Sequence, residues 1–362
     1  MNILVITDSP SPYKVTFLEM MSKYHTIDIL FQNKSYSHRD KSWFKTSENI
    51  NSRYLNENKL TRFRELISIN VKRYDLFWNM NYTSWECMLM AIRFRLSKRT
   101  CLMHADGGIY KDFGFVLNTA IHFAMNLNHY FTSSGIMTTQ YYLGNRVNKD
   151  KIFNYHFSSI LAKDIEFNYI SKDNTKSDTV FEILAIGQQI HRKGFDVLLK
   201  SIADINNIHL TIIGGKPNEE CVNILNDLKL DRKVTFVEFV QPNVLKKYYL
   251  SSDLFVLPTR EDIWGLVMNE AMAYGLPLIS TKNCVAAVEF EHNYHNCICV
   301  DVDDVNGLKD AIVKVISDNE LREQMKANSR KFANQITIDQ MVEDYLEIFE
   351  KLKGNNDEGS VY

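Results

Sequence analysis

The sequence has no apolar run of the roughly 18 residues that a membrane-spanning helix requires, so none is expected among its 362 residues. Its first apolar stretch, Ile3 to Ile6, is too short for a secretory signal and lacks a basic leader and a cleavage site. The expected location is cytoplasmic. Cysteines are few and scattered, at 87, 101, 221, 284, 297 and 299, mostly inside apolar runs such as Cys297-Ile298-Cys299-Val300. Without a second close pair or histidines at ligand spacing, they are expected as reduced core residues, which argues against a disulfide framework and a zinc site. No G-x-G-x-x-G follows the first strand, where Asp8-Ser9-Pro10 stands instead, so a dinucleotide-dependent oxidoreductase is disfavoured. Tandem repeats and low-complexity segments are also missing.

What remains is a globular composition, 45% hydrophobic and 24% charged, on a chain long enough for two cores. The net charge of -2 hides an asymmetry: residues 1–175 hold 22 Lys+Arg and 15 Asp+Glu (+7), and the remainder holds 20 and 29 (-9). A basic half joined to an acidic half suggests two domains with different partners. The chain as a whole is not basic and carries no nucleic-acid module, so nucleic acid is not expected as a partner.

The pattern of elements agrees. Strand, helix and strand are predicted at Ile3–Ile6, Val15–Tyr24 and Ile27–Phe31, with short strands at Leu76–Trp78 and Thr100–Met103 around a helix at Ser84–Ser97. Residues 34 to 60 are polar and predict a long loop. The polar run at 171–178 marks a boundary. Beyond it the alternation is cleaner: strands at Phe181–Ile186, His209–Ile213, Val234–Val237, Leu254–Leu257 and Leu278–Ser280, with helices at Asp196–Ile205, Glu219–Leu228, Pro242–Ser251 and Gly265–Tyr274. Such α/β alternation makes a doubly wound parallel sheet with ligands beyond the carboxyl ends of its strands. A last helix, Ile338–Leu352, carries a candidate capping box at Thr337 and Gln340 and an apolar face of Ile338, Val342, Tyr345, Phe349 and Leu352. The expected domains are 1–175, 176–335 and a closing segment 336–362.

The window Arg260 to Pro277 is the richest in chemistry. A buried strand ends at Leu257, a charged loop Arg260-Glu261-Asp262 follows, and Gly265 opens a helix of small and apolar residues that carries one carboxylate, Glu270. The glycine lets a ligand approach the backbone, and first-turn amides bind anions. Glu270 either accepts both hydroxyls of a ribose diol or is a solvated or lysine-paired acid. A second window, Ile186-Gly187-Gln188-Gln189-Ile190-His191-Arg192-Lys193-Gly194, puts cations at the end of a strand. These suit a diphosphate leaving group, the alternative being a solvated basic turn.

The run Asp262-x-Trp264-Gly265-Leu266-Val267-x-x-Glu270-Ala271-Met272-Ala273-x-Gly275-x-Pro277 resembles the signature of the retaining glycosyltransferases of family 4. The resemblance implies a GT-B fold: two Rossmann-like domains facing across a cleft, and a C-terminal helix crossing back to the first. It implies that Glu270 holds the ribose hydroxyls, that Asp262 faces the donor sugar with Asp in place of the usual Glu, and that Gly265 and Leu266 face the diphosphate. Glu261 is the alternative to Asp262. Gly187, Lys193 and Arg192 would meet the diphosphate, with Gln188 where the family has arginine. Phe239 and Val240 resemble the segment flanking the base. In the first half, His104-Ala105-Asp106-Gly107-Gly108 resembles the Asp-Gly-Gly turn of bacterial capsule and exopolysaccharide transferases, so Asp106 or His104 would touch acceptor or donor sugar; the plain alternative is a tight turn with a capping Asp.

The function this implies is a retaining, hexosyltransferase-type enzyme of cell-surface polysaccharide biosynthesis. It would move a sugar from a UDP-, GDP- or dTDP-linked donor to a glycan or lipid-linked acceptor. No metal or other cofactor is expected, since Lys193, Arg192 and a helix N-terminus supply the charge. A non-catalytic nucleotide-sugar-binding scaffold and a GT-B epimerase or hydrolase are the alternatives. Basic residues of the first half, Lys59, Arg62, Arg64, Lys72, Arg73, Arg93, Arg95, Lys98 and Arg99, interleave with Phe63, Leu66, Ile67 and Phe94. They predict either a solvated helix face or a peripheral contact with the inner face of the cell membrane.

Overall fold

The computed structural model describes residues 1–34, 46–165 and 180–358. The polar run at 171–178 lies outside them. Two compact units are formed, one by Met1–Ser159 with Thr337–Tyr362 and the other by Ile160–Ile336.

The first unit is built on seven parallel strands: β1 (Asn2–Thr7), β2 (Thr26–Phe31), β3 (Asn51–Tyr54), β4 (Leu76–Asn79), β5 (Thr100–His104), β6 (Tyr130–Ser133) and β7 (Ile152–Asn154), in the order β3-β2-β1-β4-β5-β6-β7. Helices α1 (Pro12–Met21), α2 (Lys59–Ser68), α3 (Trp85–Leu96), α4 (Phe115–Asn126) and α5 (Ile136–Gly144) make the connections. The second unit has six parallel strands, β8 (Phe181–Ile186), β9 (Ile208–Ile213), β10 (Val234–Val237), β11 (Leu254–Leu257), β12 (Leu278–Thr281) and β13 (Cys297–Val300), in the order β10-β9-β8-β11-β12-β13. Its helices are α6 (Phe195–Ser201), α7 (Glu219–Asp227), α8 (Pro242–Ser251), α9 (Leu266–Ala273), α10 (Val285–Glu289), α11 (Val305–Ser317) and α12 (Asn319–Phe332). The last helix, α13 (Ile338–Glu358), belongs to the first unit.

Both sheets are doubly wound, so each has a place where strand order reverses: between β1 and β4, and between β8 and β11. Loops leaving the carboxyl ends of those neighbours diverge and leave a crevice there. Central strands β11 and β12 are wholly buried, β11 apolar throughout and β12 with Ser280 and Thr281 bonded to the carbonyls of Leu257 and Thr259, as a parallel sheet covered on both faces requires. The predicted stripe of α13 is buried too, at Ile338, Val342, Tyr345, Phe349 and Leu352. It packs on Phe17 of α1 and Trp78 of β4. Burying each such side chain contributes about 1.5–3 kcal/mol.

Some elements differ from expectation. Helix α1 starts at Pro12 instead of Val15, because proline suits the first helical turn, where its missing N–H costs no bond. Helix α6 stops at Ser201, short of Ile205. The polar stretch 34–60 is not one loop over its described part: Asn51–Tyr54 is an edge strand on β2, and Asn58 caps α2 through the amides of Leu60 and Thr61. Half of the capping box forms. Thr337 Oγ1 accepts from the amide of Gln340 at 3.1 Å, but the Gln340 side chain reaches forward to Asp344 instead of back.

Candidate active site

At the β8/β11 crevice three loops are strapped together. The turn after β8 closes on Gly194, whose φ of +70° is left-handed and whose Cβ position would lie 2.0 Å from the carbonyl oxygen of Pro258; only glycine fits. The Arg192 carbonyl accepts from the amide of Arg260 at 2.8 Å and from Thr259 Oγ1 at 3.0 Å. The loop after β12 joins them, with the Asp262 amide donating to the Asn283 carbonyl at 3.0 Å and the Val285 amide to the Asp262 carbonyl at 3.2 Å. Arg260 itself is structural. Its guanidinium is bidentate to Asp196, at 2.9 and 2.7 Å, and meets Asp303 at 2.7 Å. These acids raise its pKa, while Asp196, which burial would raise, is held low by Arg260.

This strapping sets the acids and cations. Lys193, buried, donates to Asp262 Oδ2 at 2.5 Å, and Arg192 lies 3.7 Å from Asp262 Oδ1. Asp262 is thus the acid held beside both cations. Glu261 meets Arg192 through its backbone carbonyl, at 2.6 Å. Gly187 ends β8 with the Lys193 stem 3.3 Å from where a Cβ would stand, and Gln188 is exposed. Gly265, at φ +94°, precedes α9, and a Cβ there would fall 2.9 Å from Cys284 Sγ. The Met268 amide donates to the Gly265 carbonyl at 2.8 Å, and the amides of Leu266 and Val267 open the first turn of α9 at the positive end of the helix dipole. Glu270, half-buried on α9, accepts from the hydroxyl of Tyr249 at 2.7 Å, so it is neither fully solvated nor lysine-paired in the described bonds. Burial raises the Glu270 carboxyl and the Tyr249 hydrogen bond partly offsets it. Phe239 is exposed and Val240 half-buried just past β10, two strands from β8. No hydrogen bond or ion pair among the described residues joins them to Lys193 or Glu270.

A second cluster lies at the β1/β4 crevice of the first unit. His104 is buried, with Nε2 at 2.9 Å from Asp106 Oδ1. Asp106 Oδ2 accepts from the Tyr13 hydroxyl at 2.8 Å and lies 4.0 Å from Lys14 Nζ. Lys14, only 7% exposed along its side chain, reaches Asp8 Oδ1 at 3.0 Å and Thr7 Oγ1 at 3.2 Å. Burial would raise Asp106 and Asp8, yet Lys14 holds both carboxyls below their ordinary value, helped at Asp106 by His104 and Tyr13. Burial would lower Lys14, but Tyr13 and the two carboxylates raise it instead. The Asp106 turn therefore does more than cap a loop. Asp8, Tyr13 and Lys14 carry no motif that singles them out; a lone lysine at the start of an otherwise apolar helix is their only sequence signal. Tyr249 and Tyr345 are likewise invisible as partners, because each sits in an apolar stripe and reads as core.

The basic residues of the first unit divide into two groups. Arg62 pairs with the buried Glu86 at 2.6 Å, Arg93 donates to the carbonyls of Leu66 and Ile69, Arg73 lies 3.4 Å from Asp28 and Arg99 lies 3.6 Å from Asp75. Leu66 and Phe94 are core. Lys59, Arg64, Lys72 and Lys98 are exposed, as are Phe63 and Ile67. A larger apolar surface lies elsewhere, on α4 and the segment before it, where Phe113, Phe115, Val116, Leu117 and Phe123 are exposed, Phe115 by 86%.

Residues 166–332 match the family model described as glycosyl transferases group 1. Among curated proteins the chain is 24% identical over 184 residues to the lipopolysaccharide core biosynthesis glycosyltransferase LpsE of Rhizobium meliloti (strain 1021), covering 49% of this chain and 53% of that one. It is 26% identical over 227 residues to the capsular polysaccharide biosynthesis glycosyltransferase CapM of Staphylococcus aureus, covering 58% and 59%. The chain thus spans about half the length of the curated relatives it matches. Among solved structures, Anabaena Alr3699/HepE in complex with UDP superposes with a TM-score of 0.75 at 16% identity, covering 97% of this chain and 100% of that one. The fold is GT-B, two Rossmann-like units on sheets of seven and six parallel strands. The family match is confined to residues 166–332, and the likeness to solved structures is one of fold.

Proposed function

We propose that this protein is a retaining, hexosyltransferase-type glycosyltransferase of family 4, transferring a sugar from a nucleotide-diphosphate donor to a glycan or lipid-linked acceptor in cell-surface polysaccharide biosynthesis. The observation that carries the reading is the Lys193–Asp262 pair beside the N-terminus of α9, with Glu270 one and a half turns further along. Glu270 accepts the ribose diol, and the Tyr249 hydroxyl keeps the carboxylate oriented while leaving it lone pairs to spare. Lys193 has three donors, of which Asp262 takes one, so it also meets a diphosphate oxygen. Arg192 and the amides at Gly265 and Leu266 take the remaining charge as the leaving group departs. That set supplies enough positive charge for the reaction to need no divalent metal. Asp262 faces the donor sugar, and Gln188, Phe239 and Val240 border the nucleotide. Asp106 and His104 serve the sugar or the acceptor hydroxyl from the first unit.

A UDP-linked donor is favoured over GDP- or dTDP-linked ones by the solved neighbour that holds UDP. A capsule or lipopolysaccharide setting is favoured by what the curated relatives are described as making. The exposed apolar surface of α4, with the exposed Lys59, Arg64 and Lys98 on the same unit, favours a peripheral contact with an anionic membrane, where a lipid-linked acceptor would be met. The test is a screen of UDP-, GDP- and dTDP-sugars by thermal shift, hydrolysis and transfer to lipid extracts, with and without chelator. The reading expects one donor to stabilise the protein and its sugar to be transferred with the anomeric configuration kept. Binding without turnover would point to a scaffold, and epimerised or hydrolysed donor as the sole product would point to the other enzyme classes.

A further inference from the structure

The buried end of the Asp106 cluster is closed by a residue from the far end of the chain. Tyr345, on α13 and fully buried, places its hydroxyl 2.5 Å from His104 Nδ1. The hydroxyl of Thr132, on β6, lies 2.8 Å from the same oxygen. The proton positions follow from what each group is able to do. Asp106, held ionised by Lys14, only accepts. Its partner, His104 Nε2, must then carry a proton. In the neutral ring Nδ1 is an acceptor, so the single Tyr345 proton points at Nδ1, and Thr132 donates to the Tyr345 oxygen. The chain of bonds runs Thr132, Tyr345, His104, Asp106.

We propose that Tyr345 is a positioning residue: donating to His104 Nδ1, it anchors the ring whose Nε2–H donates to Asp106 Oδ1 and so holds the carboxylate to accept a substrate hydroxyl. The proposal rests on the reading of Asp106 as a sugar-side residue. With Oδ1 tied to His104 and Oδ2 to Tyr13, the carboxylate has a set direction, and its remaining lone pairs open to solvent through the one-third of its side chain that is exposed. Both ring nitrogens of His104 are engaged, so its part in the site is to orient Asp106. Removing the Tyr345 hydroxyl leaves Nδ1 without its donor, so the ring and with it the carboxylate are less firmly held, while the ionised Asp106 still keeps the proton on Nε2. The aromatic cage of Phe17, Trp78, Tyr155 and Phe349 around Tyr345 accepts phenylalanine without a cavity.

The experiment compares wild type, Tyr345→Phe, His104→Asn and the double variant of the full chain. Nitrogen NMR of the imidazole and steady-state transfer kinetics are the readouts, with the unfolding midpoint as a control. The ring is expected as the Nε2–H tautomer in both wild type and Tyr345→Phe, with the Nδ1 resonance moved in Tyr345→Phe toward that of a nitrogen that accepts no hydrogen bond. kcat should fall about three- to tenfold, as for loss of one hydrogen bond, with donor KM changed by less than about twofold. The double variant should be no slower than His104→Asn alone, because Tyr345 acts only through His104. An unchanged Nδ1 resonance, or losses that multiply in the double variant, overturns the proposal. Thr132→Val gives a second test that leaves the Tyr345 ring in place, and a smaller move of the Nδ1 resonance in the same direction is expected there. Absence of transfer in the wild type would sink the transferase reading, while the NMR comparison would still decide the role of Tyr345.

Discussion

Lys193 and Asp262 meet at 2.5 Å, and their pair joins the turn after β8 to the loop after β11 where strand order reverses. Each residue is nearly buried, and Arg192 is the only other described cation within ion-pair distance of Asp262. Lys193→Met therefore removes the main partner of Asp262 and, on the proposed reading, a donor to the diphosphate. Transfer should fall by about two to three decades, the usual cost of one preorganised charge donor. Calorimetry with the nucleotide diphosphate alone would show weaker binding. Wild-type turnover in Lys193→Met, with the fold intact, would remove Lys193 from the site.

Glu270 is expected to separate stability from function. Burial raises its carboxyl above the ordinary 4.5, so the folded state binds a proton more readily than the unfolded state does. Between the unfolded and the raised folded pKa, stability falls as pH rises, and the ionised group is a net cost at neutral pH. Glu270→Gln removes that cost and keeps a partner for Tyr249, so the unfolding midpoint at pH 7 should be unchanged or higher. On the proposed reading the same variant loses charge-assisted bonds to a ribose diol, each worth about 1.5–3 kcal/mol. Transfer should drop by about two to four decades. A fall in both stability and activity would instead mark Glu270 as a structural acid.

The second unit was far more legible in the sequence than the first. Strands Phe181–Ile186, Val234–Val237 and Leu254–Leu257 are found at their predicted limits, because strands of a covered parallel sheet are short apolar runs between turn signals, and helix Pro242–Ser251 is too, because proline marks its first turn. Strand β3, Asn-Ser-Arg-Tyr, was unreadable: an edge strand with an open face needs no apolar residues. The acids and cations of Arg260–Glu270 stood out because charge in a loop after an apolar strand has few structural uses. Their bonding did not, since Asp262 and Glu261 are neighbours in sequence and only the strapping to Asn283 and Arg192 turns one of them to Lys193. Lys14, Tyr13 and Tyr345 were missed for a related reason. They meet Asp106 and His104 from 90 to 240 residues away, a relationship no local pattern carries.

Lys14 should control the acid stability of the first unit. Asp8 and Asp106 have folded values held below the ordinary 3.8. Their contribution is present above pH 4 or so and lost as pH falls through the lowered values. Lys14→Met leaves two neighbouring carboxylates without their cation, a loss of about 2–3 kcal/mol at pH 7 after allowing for their partial exposure. The gap from wild type should narrow below pH 4, where both carboxyls of the variant protonate. Urea unfolding at pH 7 and pH 3.5 checks this; a gap that does not change with pH would assign the loss to packing.

Gly194 ties the turn after β8 to the loop after β11. Its left-handed φ and the 2.0 Å approach of the Pro258 carbonyl to any Cβ leave no room for a side chain. Gly194→Ala must move the backbone of one loop away from the other, at a cost of about 2 kcal/mol or more. It should also separate Lys193 from Asp262. Transfer is expected to fall at least as far as in Lys193→Met although no charged group is altered, and thermal unfolding with activity assays on both variants makes the comparison.

The apolar surface of the first unit gives the last prediction. Helix α4 has no Asp, Glu, Lys or Arg from Phe115 to Asn126, yet Phe115, Val116, Leu117 and Phe123 face solvent. Arg95 of α3 donates to the Asn126 carbonyl at 3.0 Å, so α3 flanks the end of α4, and its Leu96 is 81% exposed. The same unit exposes Lys98, just past α3, and Arg64 on α2. Aromatic side chains at a headgroup boundary beside cations suit an anionic bilayer, with each well-placed cation worth about 1 kcal/mol. The protein should co-sediment with vesicles containing phosphatidylglycerol and not with purely zwitterionic ones, and binding should weaken in high salt. Phe115→Ser with Phe123→Ser should reduce sedimentation at least tenfold and leave transfer to a soluble acceptor unchanged, because neither side chain belongs to the donor site. Equal binding to both vesicle types would mean that the cations take no part. No binding to either would leave the α4 surface without a membrane role.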